Sequence, residues 1–117
     1  AQVRNVKKVV IHRGYKRSDM TNDIALMQLD RPVLCSSYVQ LACLAEPTLS
    51  VSVLRNCWIA GWGATTARSL DSADHLQQAK VKLIDLQLCN STDWYGGEVH
   101  SYNLCAGYPQ GTIDSCK

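Results

Sequence analysis

The feature that most constrains this chain is a set of short apolar runs with a period of two residues, interrupted by one long irregular stretch. Side chains of a β-strand alternate between the two faces of a sheet, so this period predicts strands rather than helices. Strands are expected within residues 5–12, 23–30, 57–63, 78–85 and 102–107, and one short helix within residues 86–94. Short strands joined by turns indicate an all-β barrel or sandwich.

The irregular stretch covers residues 33–56, which contain Pro47 and several serines but no clean periodicity. A connector of this length is unusual inside one compact domain. We therefore interpret residues 1–32 and 57–117 as parts of two bodies, joined by residues 33–56.

The composition is that of a folded chain, with 46% hydrophobic and 19% charged residues. No apolar run approaches the roughly 20 residues that a membrane span needs, so no transmembrane segment is expected in this stretch. The net charge of +2 indicates no particular partner, and nothing in the sequence indicates nucleic-acid binding.

Basic side chains are concentrated at one edge of the sequence, because residues 1–17 contain no acidic residue. They comprise Arg4, Lys7, Lys8, Arg13, Lys16 and Arg17. Such an edge can attract sulfated or phosphorylated polymers, including sulfated glycans and glycoproteins. The alternative is an ordinary solvated strand face.

Cysteine is more frequent than is usual for an intracellular chain. The six cysteines are Cys35, Cys43, Cys57, Cys89, Cys105 and Cys116, with no C-x-x-C pair and no adjoining histidine cluster. We therefore expect disulfides formed in the secretory pathway rather than a metal site or cofactor. Spacing alone leaves the pairing open, and some partners can lie outside the chain. The tripeptide Asn90-Ser91-Thr92 is an acceptor for N-glycosylation.

Two aspartates stand out, and each has two interpretations. Asp23 opens the apolar run "DIALMQLD", where a carboxylate is costly to bury unless it is paired. It either caps a turn after Asn22 or orients a histidine. Asp114, in "TIDSCK", is either a surface charge or the floor of a pocket for a cationic ligand.

Three motifs, "NDIALMQLDRPV", "CWIAGWGATT" and "LCAGYPQGTIDSC", occur in this order along nearly the whole chain. In this order and spacing they resemble the trypsin/chymotrypsin family of serine endopeptidases. The resemblance implies a double six-stranded β-barrel, of which this chain is an internal fragment. Residues 1–32 would end the first barrel, residues 33–56 connect the barrels, and residues 57–117 begin the second.

In this family a serine attacks the scissile carbonyl, a histidine accepts its proton, and an aspartate orients the histidine. Asp23 matches the aspartate. The "AAHC"-like histidine motif is absent from the sequence, and "GDSGGP", which carries the serine, would begin directly after Lys117. None of His12, His75 and His100 replaces the missing histidine, so the fragment alone is expected to be inactive. A binding protein that has lost the catalytic residues is the alternative.

The resemblance also assigns a primary specificity pocket. Asp114 matches its floor, Ser115 would add a hydroxyl, and Lys117 lies at a rim position. A buried carboxylate favours a substrate Arg or Lys and penalises apolar side chains. The implied partners are protein substrates with Arg or Lys at the cleavage site, and protease inhibitors.

The same resemblance sorts the cysteines. Cys89 and Cys105 match an internal pair, whereas the partners of Cys57 and Cys116 would lie downstream. Cys43 matches the link to a light chain released by zymogen cleavage, and Cys35 resembles a second such link. A small disulfide-stapled inhibitor or growth factor also fits the cysteine count, but it does not fit the ordered motifs.

Overall fold

The computed structural model describes residues 1–64, 72–93 and 95–107. The elements in chain order are β1 (Val6–Ile11), β2 (Ala25–Leu29), a one-turn 3-10 helix (Val51–Val53), β3 (Cys57–Gly61), β4 (Gln77–Ile84), α1 (Leu86–Cys89) and β5 (Cys105–Gly107). Strands dominate and all pair antiparallel, so the predicted all-β class is confirmed.

The chain divides into two compact units, Ala1–Pro47 and Thr48–Lys117. The division falls within the predicted connector 33–56, in which the 3-10 helix Val51–Val53 is the one assigned element. The assignment of residues 1–32 and 57–117 to two separate barrels stays a prediction.

The first unit contains a two-stranded ribbon. Strand β1 pairs with β2 so that Val9 lies opposite Met27 and Ile11 opposite Ala25. The register shifts between Val6 and Lys8, which is the signature of a β-bulge. All residues of both strands are exposed. Both faces of β2 are largely apolar in sequence, and neither face is covered within this ribbon.

The second unit contains a three-stranded sheet in the order β3-β4-β5. In β4 the alternation predicted from the sequence is visible in the burial: Val81 is 2% accessible, whereas its neighbours Lys80 and Lys82 are exposed. The branched Val81 side chain fills the covered face while the lysines remain in water. Val81 and Cys89 form the small core of this unit among the described residues.

Helix α1 follows β4 directly because Asp85 caps it. The Asp85 carboxylate accepts hydrogen bonds from the backbone N–H groups of Gln87 and Leu88, at 2.8 and 3.3 Å. These N–H groups have no partner inside the helix, so an aspartate at this position favours the helix start. The helix carries Cys89 to its position opposite β5.

Helix α1 and strand β5 have half or less of their predicted length. The helix expected within residues 86–94 ends at Cys89, because the next residues turn back and the Asn90 carbonyl accepts from the N–H of Gly97 at 3.2 Å. The strand expected within residues 102–107 begins only at Cys105, because His100 and Asn103 bond to each other instead of to a neighbouring strand.

Candidate active site

Asp23 lies at the end of the ribbon, two residues before the first residue of β2. The backbone turns sharply here, since the Ile24 N–H donates to the Asn22 carbonyl at 2.8 Å and makes Asp23 the central residue of a three-residue turn. The Ile24 carbonyl accepts from the N–H of His12 at 3.1 Å, which closes the ribbon. Because of this turn, β2 begins at Ala25, and Asp23 lies exposed in the loop before the strand.

Both interpretations of Asp23, as a turn cap and as the partner of a histidine, stay predictions. The carboxylate that caps the turn in this loop is Asp19, which accepts from the N–H of Thr21 at 3.2 Å and also from the Thr21 hydroxyl. Asp23 accepts no side-chain hydrogen bond from the residues that the structure describes. Among the described residues, the turn therefore makes no hydrogen bond to the Asp23 carboxylate, and Asp23 is exposed.

His12, the histidine of the first unit, makes no hydrogen bond to Asp23. Nδ1 of His12 accepts from the Gly14 N–H at 3.0 Å, so this nitrogen cannot donate to a carboxylate. His100 belongs to the second unit, where its ring stacks on Tyr102 with centroids 5.2 Å apart. His75 is exposed before β4 in the same unit. His12 ends the predicted strand 5–12, and its bond to Gly14 has no signature in the sequence.

The pocket residues Asp114, Ser115 and Lys117 lie outside the described residues, as does Cys116. Their assignment to a specificity pocket stays a prediction. The candidate site is therefore represented in the structure by the loop that carries Asp23.

Cys89 and Cys105 form a disulfide with a Cα–Cα distance of 6.5 Å, and this is the pair that the family resemblance implies. The bond joins α1 to β5, and Cys89 is 2% accessible. Cys35 and Cys43 are exposed free thiols in the first unit, and Cys57 is a half-buried free thiol at the start of β3. Their predicted partners outside the chain stay predictions.

The Asn90 side chain has a local structural role. Its Oδ1 accepts from the N–H of Val99 at 3.0 Å and fastens the loop that follows α1. Asn90 itself is half-buried, whereas Thr92 of the acceptor tripeptide is exposed. The bond uses the oxygen of the amide and leaves Nδ2, the atom that would carry a glycan, outside this contact.

Residues 1–64, 72–93 and 95–107 contain no group of three or more His, Cys, Asp or Glu side chains suited to a metal. In the same ranges no helix has the length and apolar character of a membrane span. An open groove of about 830 Å³ lies within the second unit, between the 3-10 helix, the end of β4 and the segment before β5. Its walls are mainly apolar, with Arg55, Lys82 and Asp85 contributing charge.

Known proteins are similar to this chain over nearly its whole length. The sequence model of the Trypsin family matches residues 1–117. Mouse transmembrane protease serine 11C is 40% identical over 114 residues, which are 97% of this chain and 26% of that protein. Rat transmembrane protease serine 11G is 33% identical over 114 residues, which are 97% of this chain and 27% of that protein. The chain spans about a quarter of the length of these relatives. With a family match over its full length, this chain belongs to the trypsin family of serine proteases.

Proposed function

We propose that this chain is part of a serine endopeptidase that cleaves proteins after Arg or Lys. The observation that carries the proposal is the match to the trypsin family over residues 1–117, together with an Asp23 carboxylate that the surrounding turn leaves unused. In the complete enzyme Asp23 holds the catalytic histidine in the tautomer that accepts the serine proton, as is general for this family. The histidine and the serine come from outside these 117 residues.

Specificity is assigned to Asp114. A carboxylate on the floor of a desolvated pocket pairs with a guanidinium or ammonium group, whereas an apolar side chain would leave the charge unpaired. Ser115 adds a hydroxyl to that pocket, and Lys117 stands at its rim.

The test is the variant Asp114→Ser in the full-length, activated protein, assayed on matched Arg and Phe substrates. We expect the preference for Arg to collapse while a serine-directed covalent inhibitor without a basic group still labels the protein, because the nucleophile is untouched. A variant that keeps the preference for Arg contradicts the pocket assignment. Absence of both hydrolysis and labelling in the parent protein favours the alternative, a protease-fold binding protein without catalytic residues.

A narrower identity is acrosin, the sperm acrosomal protease. The segment "KVKLIDLQLCNSTDWYGGEV", the additional Cys35 and the run "LCAGYPQGTIDSC" are similar to it. The two relatives, which are named transmembrane proteases, instead favour a transmembrane protease. Localisation of the full-length protein decides between an acrosomal vesicle, the extracellular space and a membrane. Both identities place the protein in the secretory pathway.

We also propose three kinds of binding partner for the complete protein. A light chain is linked through Cys43, and through Cys35 if the similarity to acrosin holds. The basic residues at positions 1–17 bind a sulfated glycan or glycoprotein. Protease inhibitors occupy the specificity pocket in place of a substrate.

Asn90 is proposed to carry an N-glycan. Its Nδ2 is not used in the bond to Val99, so the loop and the glycan are compatible. A peptide map of protein from a glycosylating host should show modified Asn90, and a Thr92→Ala variant should lose the modification. Unmodified Asn90 in the parent protein contradicts the proposal.

A further inference from the structure

The loop between β1 and β2 is crossed by a chain of hydrogen bonds that passes through Gly14. The Gly14 N–H donates to Nδ1 of His12 at 3.0 Å, and the Gly14 carbonyl accepts from Nδ2 of Asn22 at 3.0 Å. Gly14 thereby joins the residue that follows β1 to the residue that precedes Asp23. We name the three residues His12, Gly14 and Asn22 the loop brace.

The loop brace has no space for a side chain at its centre. A Cβ at position 14 would lie 2.9 Å from Nδ2 of Asn22 and 3.3 Å from the His12 ring atoms Nδ1 and Cε1. The first distance is shorter than ordinary carbon–nitrogen contacts, so Asn22 or Gly14 would have to move. Close approach of the two flanking side chains, rather than a left-handed backbone, is what requires glycine here.

Asn22 carries the effect of the loop brace to Asp23. Its backbone has a left-handed φ of 52°, a conformation that asparagine adopts more readily than most residues. Its side chain is held by Gly14 and its carbonyl by the N–H of Ile24 at 2.8 Å. The peptide group that enters Asp23 is therefore fixed at two points.

His12 acts on both sides of Asp23. On the C-terminal side its backbone N–H donates to the Ile24 carbonyl at 3.1 Å. On the N-terminal side its ring holds Gly14, which in turn holds Asn22. Because Nδ1 accepts a hydrogen bond, the neutral ring carries its proton on Nε2.

We propose that His12 is a positioning residue for Asp23. Its Nδ1, acting through Gly14 and Asn22, sets the direction in which the Asp23 carboxylate points. The inference rests on the proposed function, in which Asp23 orients the catalytic histidine. A carboxylate that must align an imidazole needs its own backbone to be held, and small misplacements of such groups lower rates by about tenfold to a hundredfold.

Two variants of the full-length, activated protein test this role. His12→Leu removes the acceptor at similar size, and His12→Asn returns an acceptor, Oδ1, at the same distance along the side chain as Nδ1. We expect His12→Leu to lower kcat on an Arg substrate at least about tenfold with KM within about twofold. We expect His12→Asn to stay within about threefold of the parent kcat, because Gly14 keeps its partner.

Hydrogen exchange of the peptide covering residues 12–24 supplies a readout that does not depend on catalysis. Exchange should be faster in His12→Leu and parental in His12→Asn. Should His12→Leu fail to fold, Gly14→Ala is expected to show the same loss of kcat and the same faster exchange. Ser18→Ala, an exposed position in the same loop, is the control and should match the parent in both.

Equal losses of kcat in His12→Leu and His12→Asn overturn the inference, as does parental kcat in His12→Leu. If the parent hydrolyses its substrate, and Asp23→Asn lowers kcat while His12→Leu does not, the role of His12 is contradicted. The proposed function is then unaffected. A parent without hydrolysis overturns the proposed function and, with it, this role of His12.

Discussion

The two units of the chain differ in where their apolar side chains lie. In the ribbon of the first unit all strand residues are exposed, and Leu26 is 69% accessible. In the second unit Val81 and Cys89 are 2% accessible, and a disulfide joins the helix to the last strand. A two-stranded ribbon is marginally stable by itself, whereas three strands with a covered face can begin a core.

The comparison separates chemistry from stability. The first unit carries the candidate catalytic carboxylate, Asp23, on a loop held by hydrogen bonds. The second unit carries the buried side chains of Val81 and Cys89 and the disulfide between Cys89 and Cys105. Substitution at Asp23 should therefore change catalysis with little change in stability, and substitution at Val81 or Cys89 should do the reverse.

The largest effect should come from Asp23→Asn in the full-length, activated protein. We expect kcat to fall by roughly four orders of magnitude, because the histidine then adopts the wrong tautomer. The preference for Arg over Phe substrates should remain, and the melting temperature should stay close to that of the parent. Steady-state kinetics and calorimetry measure both.

Asp19→Asn is the matched control, since it changes the neighbouring carboxylate while an amide oxygen can still cap the turn at Thr21. Its kcat should remain within about tenfold of the parent. The separation of chemistry from stability fails if Asp23→Asn melts as early as a core variant.

The next effect concerns the disulfide of the second unit. Replacing Cys89 and Cys105 together by Ser should lower the free energy of unfolding by about 3 kcal/mol, as expected for closing a loop with a sequence separation of 16 residues. Urea unfolding of the full-length protein measures this. The preference for Arg should be kept in the protein that remains folded.

Each single serine variant controls for this result, because it breaks the same bond and leaves one thiol. A double variant with parental stability would show that the second unit does not depend on its covalent link. The contrast with the ribbon would then rest on Val81 alone.

The smallest effect should come from Val81→Ala. Truncating a side chain that is 2% accessible should lower the free energy of unfolding by about 2 kcal/mol, because apolar burial is lost and a cavity is left behind. Gln78→Ala, an exposed position on the same strand, should change the free energy of unfolding by less than about 0.5 kcal/mol. Equal losses in both variants would contradict a core at Val81.

The strands of this protein were predictable where local pattern and pairing agree. Strand β4 was expected within residues 78–85 and spans Gln77–Ile84, because the alternation around Val81 matches the burial of its covered face. The helix after it was predicted too long. Its end depends on Gly97 and Val99 reaching back to Asn90, and such contacts between separate turns leave no periodic signal.

At the candidate site, too, the sequence did not predict the hydrogen bonds between residues of the loop. Asp23 was identified by its place before an apolar strand, and the family resemblance supplied its expected role. The carboxylate that reaches the N–H of Thr21, at 3.2 Å, is that of Asp19, which the sequence did not single out. Hydrogen bonding falls off within a few tenths of an ångström, so a sequence pattern cannot rank two nearby carboxylates.

By itself the sequence determined the all-β character, the family and the position of Asp23 along the chain, because side-chain alternation and ordered motifs are properties of the chain read locally. The tertiary structure alone decided that Asp19 caps the turn, that Nδ1 of His12 binds Gly14, and that Gly14 lies between His12 and Asn22. The reason is physical. Each of these choices depends on a distance of about 3 Å between groups that only the folded loop brings together.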